Sequence, residues 1–191
     1  MDYEGNTGRP PTLLGWMCQD KTEGAIVEAL FKTCENRFRA KDLWLRDHCT
    51  LLHNLIVRAE TEDRLIVSWS EHDWRHMCTA LNDASWIERL GHRYRNAIPT
   101  ANAWHRRHYG SSPDLASLEH FLGLVGYVVP ERFGSGLVGA HLRMIRAQLQ
   151  QCRAYPDLSP RARANWVAVV KHNRHDLKGM AIVMQAATGD S

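Results

Sequence analysis

The chain reads as a mixed α/β domain: an antiparallel three-strand meander plus parallel strands, flanked by helices. Three observations predict this. The first thirty residues hold short apolar stretches separated by turn residues. A strongly amphipathic helical stretch follows, and then a compact apolar segment, Arg64–Ser70, rich in β-branched residues. A strand reached through a helix suits a parallel position, because parallel neighbours need a crossover.

In chain order, the first strand is expected over Met1–Asn6 and the second over Thr12–Cys18, with Gly8-Arg9-Pro10-Pro11 as the turn. A third is expected over Gly24–Phe31, where Ile26 and Val27 are β-branched. Lys41 to Ala59 is read as a helix, since Leu43, Trp44, Leu51, Leu52, Leu55 and Ile56 recur at helical spacing. Arg64–Ser70 is read as a buried strand beside the first, ending in Ser70 as N-cap of a helix with Glu71, His72 and Asp73 in its first turn. Residues 84–109 read as helical, interrupted at Ile98-Pro99, with Gly110–Pro113 a loop and Asp114 to Leu118 starting another helix. Gly123–Val129 reads as an apolar turn or short strand. Ala140–Gln151 reads as a basic amphipathic helix with Leu142, Ile145 and Leu149 inward and Arg143 and Arg146 outward. Ser159 caps the last helix, with Pro160 as its first residue and an end near Ala187.

A length of 191 residues suits one domain. No apolar run reaches the roughly 20 residues of a membrane span, so no membrane association is expected. The five cysteines are widely spaced and include no C-x-x-C pair, which reads as reduced thiols in a cytoplasmic protein. Residues 1–63 carry eight Lys/Arg against eleven Asp/Glu, and residues 64–191 carry sixteen against ten. Arginine outnumbers lysine 19 to 5, and guanidinium forks suit phosphate. Basic helices over 89–107 and 143–163 would track a nucleic-acid backbone, through Arg93, Arg106, Arg107, Arg143, Arg146 and Arg174. Trp104 or Tyr109 would be available for base stacking.

Acidic residues at the start and end of the chain carry the chemistry. Asp2 and Glu4 at i and i+2 share one face of a strand, and two adjacent carboxylates repel unless a cation lies between them. Asp73 follows a buried strand, where α/β folds place functional groups. His172 and Asp176, four apart on the last helix, share a face. In order, this set resembles the DEDD superfamily of 3′–5′ exonucleases on the ribonuclease H-like fold. The run His172-Asn173-Arg174-His175-Asp176-Leu177 is similar to the third motif of its predicted-exonuclease branch.

The resemblance implies a ribonuclease H-like domain over 1–191 in which Asp2, Glu4, Asp73 and Asp176 bind two Mg²⁺ or Mn²⁺ ions. His172 would orient or deprotonate the attacking water. The substrate would be a single-stranded DNA or RNA end, and the products nucleoside 5′-monophosphates. The family's histidine subgroup places its histidine five before the last acid, where this chain has Lys171; the spacing of four that His172 shows is that of the tyrosine subgroup. Only Met1 precedes Asp2, where this fold has several apolar residues, so the resemblance implies a longer natural N-terminus.

Two other readings compete. One is a non-catalytic nucleic-acid-binding module of the same fold. The other is a zinc- or nucleotide-binding regulatory protein using His72 with His76, His105 with His108, or Gly134-x-Gly136-x-x-Gly139 with Asp157. No strand is expected to run into those glycines, which read as a flexible turn. No P-loop or G-x-S-x-G motif is present.

Overall fold

The computed structural model describes residues 1–191 except 7, 38–42, 46, 112, 114–115, 134–135, 153 and 190–191, and only the backbone at 35–37, 43–45 and 132. It is a mixed α/β structure that divides into two compact units. One comprises Met1, His48–Val128 and Lys178–Ser191, and the other Asp2–Asp47 and Val129–Leu177.

The second unit carries the sheet. Strands β1 (Asp2–Glu4), β2 (Leu13–Cys18) and β3 (Lys21–Ile26) form the antiparallel meander, and β4 (Leu43–Leu45) adds parallel to β3. The third strand begins at Lys21, not Gly24, because Gln19 and Asp20 turn the chain in two residues with φ of 49° and 63°. Two positive φ values match the right-handed twist of the flanking strands. After Ile26 the expected strand gives way to a 3₁₀ segment, Ala29–Arg37.

Two helices complete this unit. Helix α6 spans Val138–Gln151, and α7 spans Pro160–Gly189, of which the part up to Leu177 belongs here. Ser159 Oγ accepts the Ala162 N–H at 3.2 Å, so the cap is the expected one. The core joins Leu13 and Ile26 of the sheet to Phe31, Leu142, Ile145 and Leu149, and to Trp166, Val169 and Val170 of α7.

The first unit is mainly helical: α1 (His48–Thr61), α2 (Glu71–Leu81), α3 (Ala84–Arg93), α4 (Ala97–Tyr109) and α5 (Leu118–Leu124), with the end of α7. Its sheet has two parallel strands, β5 (Ile66–Ser68) and β6 (Tyr94–Asn96). Three expectations are corrected here. Leu43 and Trp44 lie in β4 rather than in the helix, which starts at His48; Lys41 lies outside the described residues. The helical stretch 84–109 is broken by β6, not at Ile98-Pro99, and Pro99 fits the first turn of α4, where its missing N–H costs nothing. The ladder partner of β5 is β6. Helix α5 starts at Leu118, and Asp114 and Leu115 lie outside the described residues. Among the described residues no helix is long and apolar enough to cross a membrane.

Candidate metal centre

Strand β1 and the middle of α7 bring three of the predicted residues together. One ligand atom each from Glu4, His172 and Asp176 lies within 4.8 Å of the others. Strand alternation places Glu4 on the same face as Asp2, and the i, i+4 relation stacks His172 over Asp176 on one helix face.

The imidazole is held at both ends. His172 Nδ1 meets the Phe133 carbonyl, and Nε2 lies 3.2 Å from Asp176 Oδ2 and 3.8 Å from Glu4 Oε1. Burial disfavours the charged ring. The hydrogen bond and charge of Asp176, the Phe133 carbonyl and the charge of Asp2 outweigh it and push the pKa up to about 9. The ring is therefore charged at neutral pH, and could deprotonate water only after another cation had taken over the carboxylates.

Glu4 is the unusual member. It is 6% exposed, and its Oε1 has no hydrogen-bond partner, since 3.8 Å to His172 is too long for one. Burial, then the neighbouring charges of Asp2 and Asp176, push its pKa well above the usual carboxylate range. Packing alone rarely leaves a carboxylate oxygen buried and unbonded, because that forfeits its solvation.

Asp2 is fixed from the helix side. Asn173 Nδ2 donates to Asp2 Oδ2 at 2.7 Å and to its carbonyl at 3.1 Å. The Asn173 amide occupies the space above Gly15, the ladder partner of Asp2. A Cβ at Gly15 would lie 1.8 Å from Asn173 Oδ1. Asn173 is not among the predicted site residues, although its place in the buried stripe Val169, Val170, Asn173 and Leu177 marks it. A polar residue in such a stripe needs a buried partner. Nothing in the sequence points to the Phe133 carbonyl.

Asp73 belongs to the other unit. It is 4% exposed, and its Oδ2 accepts the Ser70 backbone N–H at 3.2 Å and the Ser70 hydroxyl at 3.1 Å, closing the start of α2. This carboxylate oxygen is committed to a helix cap.

The predicted arginines separate into different roles. Arg146, expected outward, is 5% exposed and bound to Glu28, Asn6 and Thr12. It follows Leu142 by four and so falls on the buried stripe of α6. Arg143 is exposed. Arg93 pairs with Asp63 at 2.6 Å, Arg107 donates to the Ala187 carbonyl at 3.0 Å, Arg106 is exposed, and Arg174 is half-buried. Trp104 is buried against Phe121 and is not offered for stacking, whereas Tyr109 is 52% exposed.

Of the competing metal and nucleotide motifs, His72 and His76 pair with each other through Nε2 atoms 2.9 Å apart. They have no third ligand among the described residues. His105 Nδ1 meets the Ser111 carbonyl at 2.8 Å. Gly136 has a φ of 85° in a turn before α6, Gly134 lies outside the described residues, and Asp157 Oδ2 accepts the Ala154 N–H at 3.2 Å.

No protein-family model, curated protein or solved structure matches the chain.

Proposed function

We propose that the protein is a metal-dependent phosphodiester hydrolase, a nuclease removing nucleotides from the 3′ end of single-stranded DNA or RNA. The observation that carries this reading is the buried, unbonded Oε1 of Glu4, which faces Asp176 and His172 beside a second fixed acid, Asp2. A divalent cation resolves that arrangement better than any side chain present. The order of the motifs supports a ribonuclease H-like reading.

Glu4 and Asp176 supply oxygen donors for one ion, Mg²⁺ or Mn²⁺, and the Nε2 lone pair of His172 is kept for the attacking water. A second ion, as the resemblance implies, would draw on Asp2, whereas Asp73 Oδ2 is engaged in the cap of its own helix. When bound, the metal supplies Lewis-acid stabilisation of the phosphoryl oxygens.

The protein's own groups do the rest. Asn173 holds Asp2, and the Phe133 carbonyl holds the His172 ring so that Nε2 faces the acids. His172, once neutral, accepts the proton of the attacking water. The water oxygen bonds to phosphorus, the P–O3′ bond breaks, and the 3′ oxygen takes a proton from solvent and leaves as a hydroxyl, releasing a 5′-monophosphate while His172 returns its proton to solvent.

The test is incubation of 5′-labelled single-stranded DNA and RNA with Mn²⁺, Mg²⁺ or Zn²⁺. The expected result is a ladder shortening from the 3′ end with Mn²⁺ and absent from Asp176→Asn. Internal cuts would replace the exonuclease by an endonuclease. A purified, folded protein that degrades neither polymer with any of these ions would end the reading.

A further inference from the structure

A cavity of about 540 Å³ opens in the second unit, lined by Gly5, Asn6, Arg9, Gly139, Arg143, Arg146, Ala147 and Gln150. Three of these are arginines and none is an acid. We infer that this cavity is a binding site for the phosphate group of a nucleotide-sized ligand, whether or not the chain hydrolyses phosphodiesters.

Charge is the first argument. Arg9 and Arg143 are exposed, and neither side chain has an ion pair or hydrogen bond among the described residues. Glu28 lies behind Arg146 and offsets one positive charge, with Nη2 to Oε2 at 2.8 Å. Two uncompensated guanidinium groups facing one concavity raise its potential and favour an anion.

Construction is the second. Arg146 is fixed by Glu28 through Nε at 3.1 Å and Nη2, by Thr12 Oγ at 3.2 Å, and by the Asn6 side-chain oxygen. These bonds use four of the five N–H donors of a guanidinium. The remaining Nη1 N–H, on a side chain only 5% exposed, is left for whatever the cavity holds. Asn6 is itself held by the Gly139 carbonyl, which accepts its Nδ2 N–H at 2.9 Å. Gly139 lies in the first turn of α6, whose N-cap residue Leu137 supplies no side-chain acceptor. A phosphate takes several such donors at once, and planar guanidinium groups suit its oxygens.

Size is the third. Pockets of about 300–1,000 Å³ take small molecules, so the room exceeds that of a bare phosphate and fits one carried on a nucleoside.

The experiment is calorimetric titration of the full chain, in EDTA so that the acids of β1 and α7 hold no metal, with inorganic phosphate, AMP and adenosine. AMP and phosphate should bind and adenosine should not. AMP tighter than phosphate supports a nucleotide-sized ligand, and equal affinities overturn that part of the inference. Arg9→Gln/Arg143→Gln should weaken AMP about tenfold or more, the worth of one charge-assisted bond, with an unchanged melting curve. Glu4→Gln should bind AMP as the parent does. The inference is overturned if neither phosphate nor AMP binds at millimolar concentration. It also falls if adenosine matches AMP, or if Glu4→Gln abolishes binding while the arginine variant keeps it. A nuclease assay that fails beside intact AMP binding removes the hydrolase reading and leaves this one standing.

Discussion

Replacing Gly15 by alanine tests the link between the sheet and the acids most directly. The new methyl would stand 1.8 Å from Asn173 Oδ1, 2.8 Å from its Cγ and 2.9 Å from Leu177 Cδ1. The leucine methyl is the end of a flexible side chain and can rotate away. The amide cannot, because its nitrogen is bonded to Asp2. Overpacking costs about 1–3 kcal/mol, and losing the bond to the Asp2 carboxylate about 1.5–3 kcal/mol. Gly15→Ala should therefore destabilise the fold by about 3–4 kcal/mol and Asn173→Ala by about 2 kcal/mol. In the double variant the methyl fills space the amide has left, so its cost should stay near that of Asn173→Ala alone. The coupling energy is then about 3–4 kcal/mol, at or just above the upper end for contacting residues. Urea unfolding at neutral pH, with unchanged slopes, measures all four corners of the cycle. Additivity within about 0.5 kcal/mol would refute the close approach of helix and strand.

Glu4→Gln should raise stability in EDTA by about 1–3 kcal/mol while abolishing Mn²⁺-dependent hydrolysis, because it removes a buried acid crowded by Asp2 and Asp176 whose Oε1 has no partner; a fall in urea midpoint counts against it. The charged His172 stabilises the fold because its pKa rises from 6.5 to about 9. That stability is complete below about 6.5 and is lost as pH climbs through about 9, some 3 kcal/mol in all. The raised pKa of Glu4 acts with the same sign, so the measurement belongs in the Glu4→Gln background, where His172→Gln should flatten the profile. Mn²⁺ at a hundred times its dissociation constant should add about 2.7 kcal/mol to the parent and much less to Glu4→Gln. Arg146→Met should cost about 3–5 kcal/mol by stranding Glu28, whereas Arg143→Gln should change stability by less than about 0.5 kcal/mol; equal costs would contradict their different burial.

Long, strongly patterned elements are legible in the sequence, and three-residue ones are not. Ser159-Pro160 announces α7, and Ser70 with Asp73 announces α2, through capping chemistry that depends only on neighbours in the chain. Strands β4 and β6 are too short to show a period of two, and their residues also satisfy a helical pattern, so pairing rather than propensity decides them. The i, i+4 relation alone predicts the meeting of His172 and Asp176 that the fold shows. Glu4 joins them through packing of β1 against α7, which no local rule encodes. Asp73 owes its place among the predicted acids to its position after a strand, yet the same position makes it a helix cap. Arg146 reads as a surface charge although its spacing from Leu142 places it on the apolar stripe; an ion pair with Glu28, 118 residues away, is what makes that position tenable.

The short connection from β1 to β2 acts as a ruler. The Thr12 N–H returns to the Glu4 carbonyl at 2.8 Å, and a Cβ at Gly5 would come within 3.1 Å of Pro11 Cα. Asn6 is tied to the start of α6. The number of residues from the acid to the arginine cavity is thus set by two anchored ends with no slack between them. Inserting one residue after Gly5 would put the carboxylate and the guanidinium groups out of step while leaving every functional side chain in the protein.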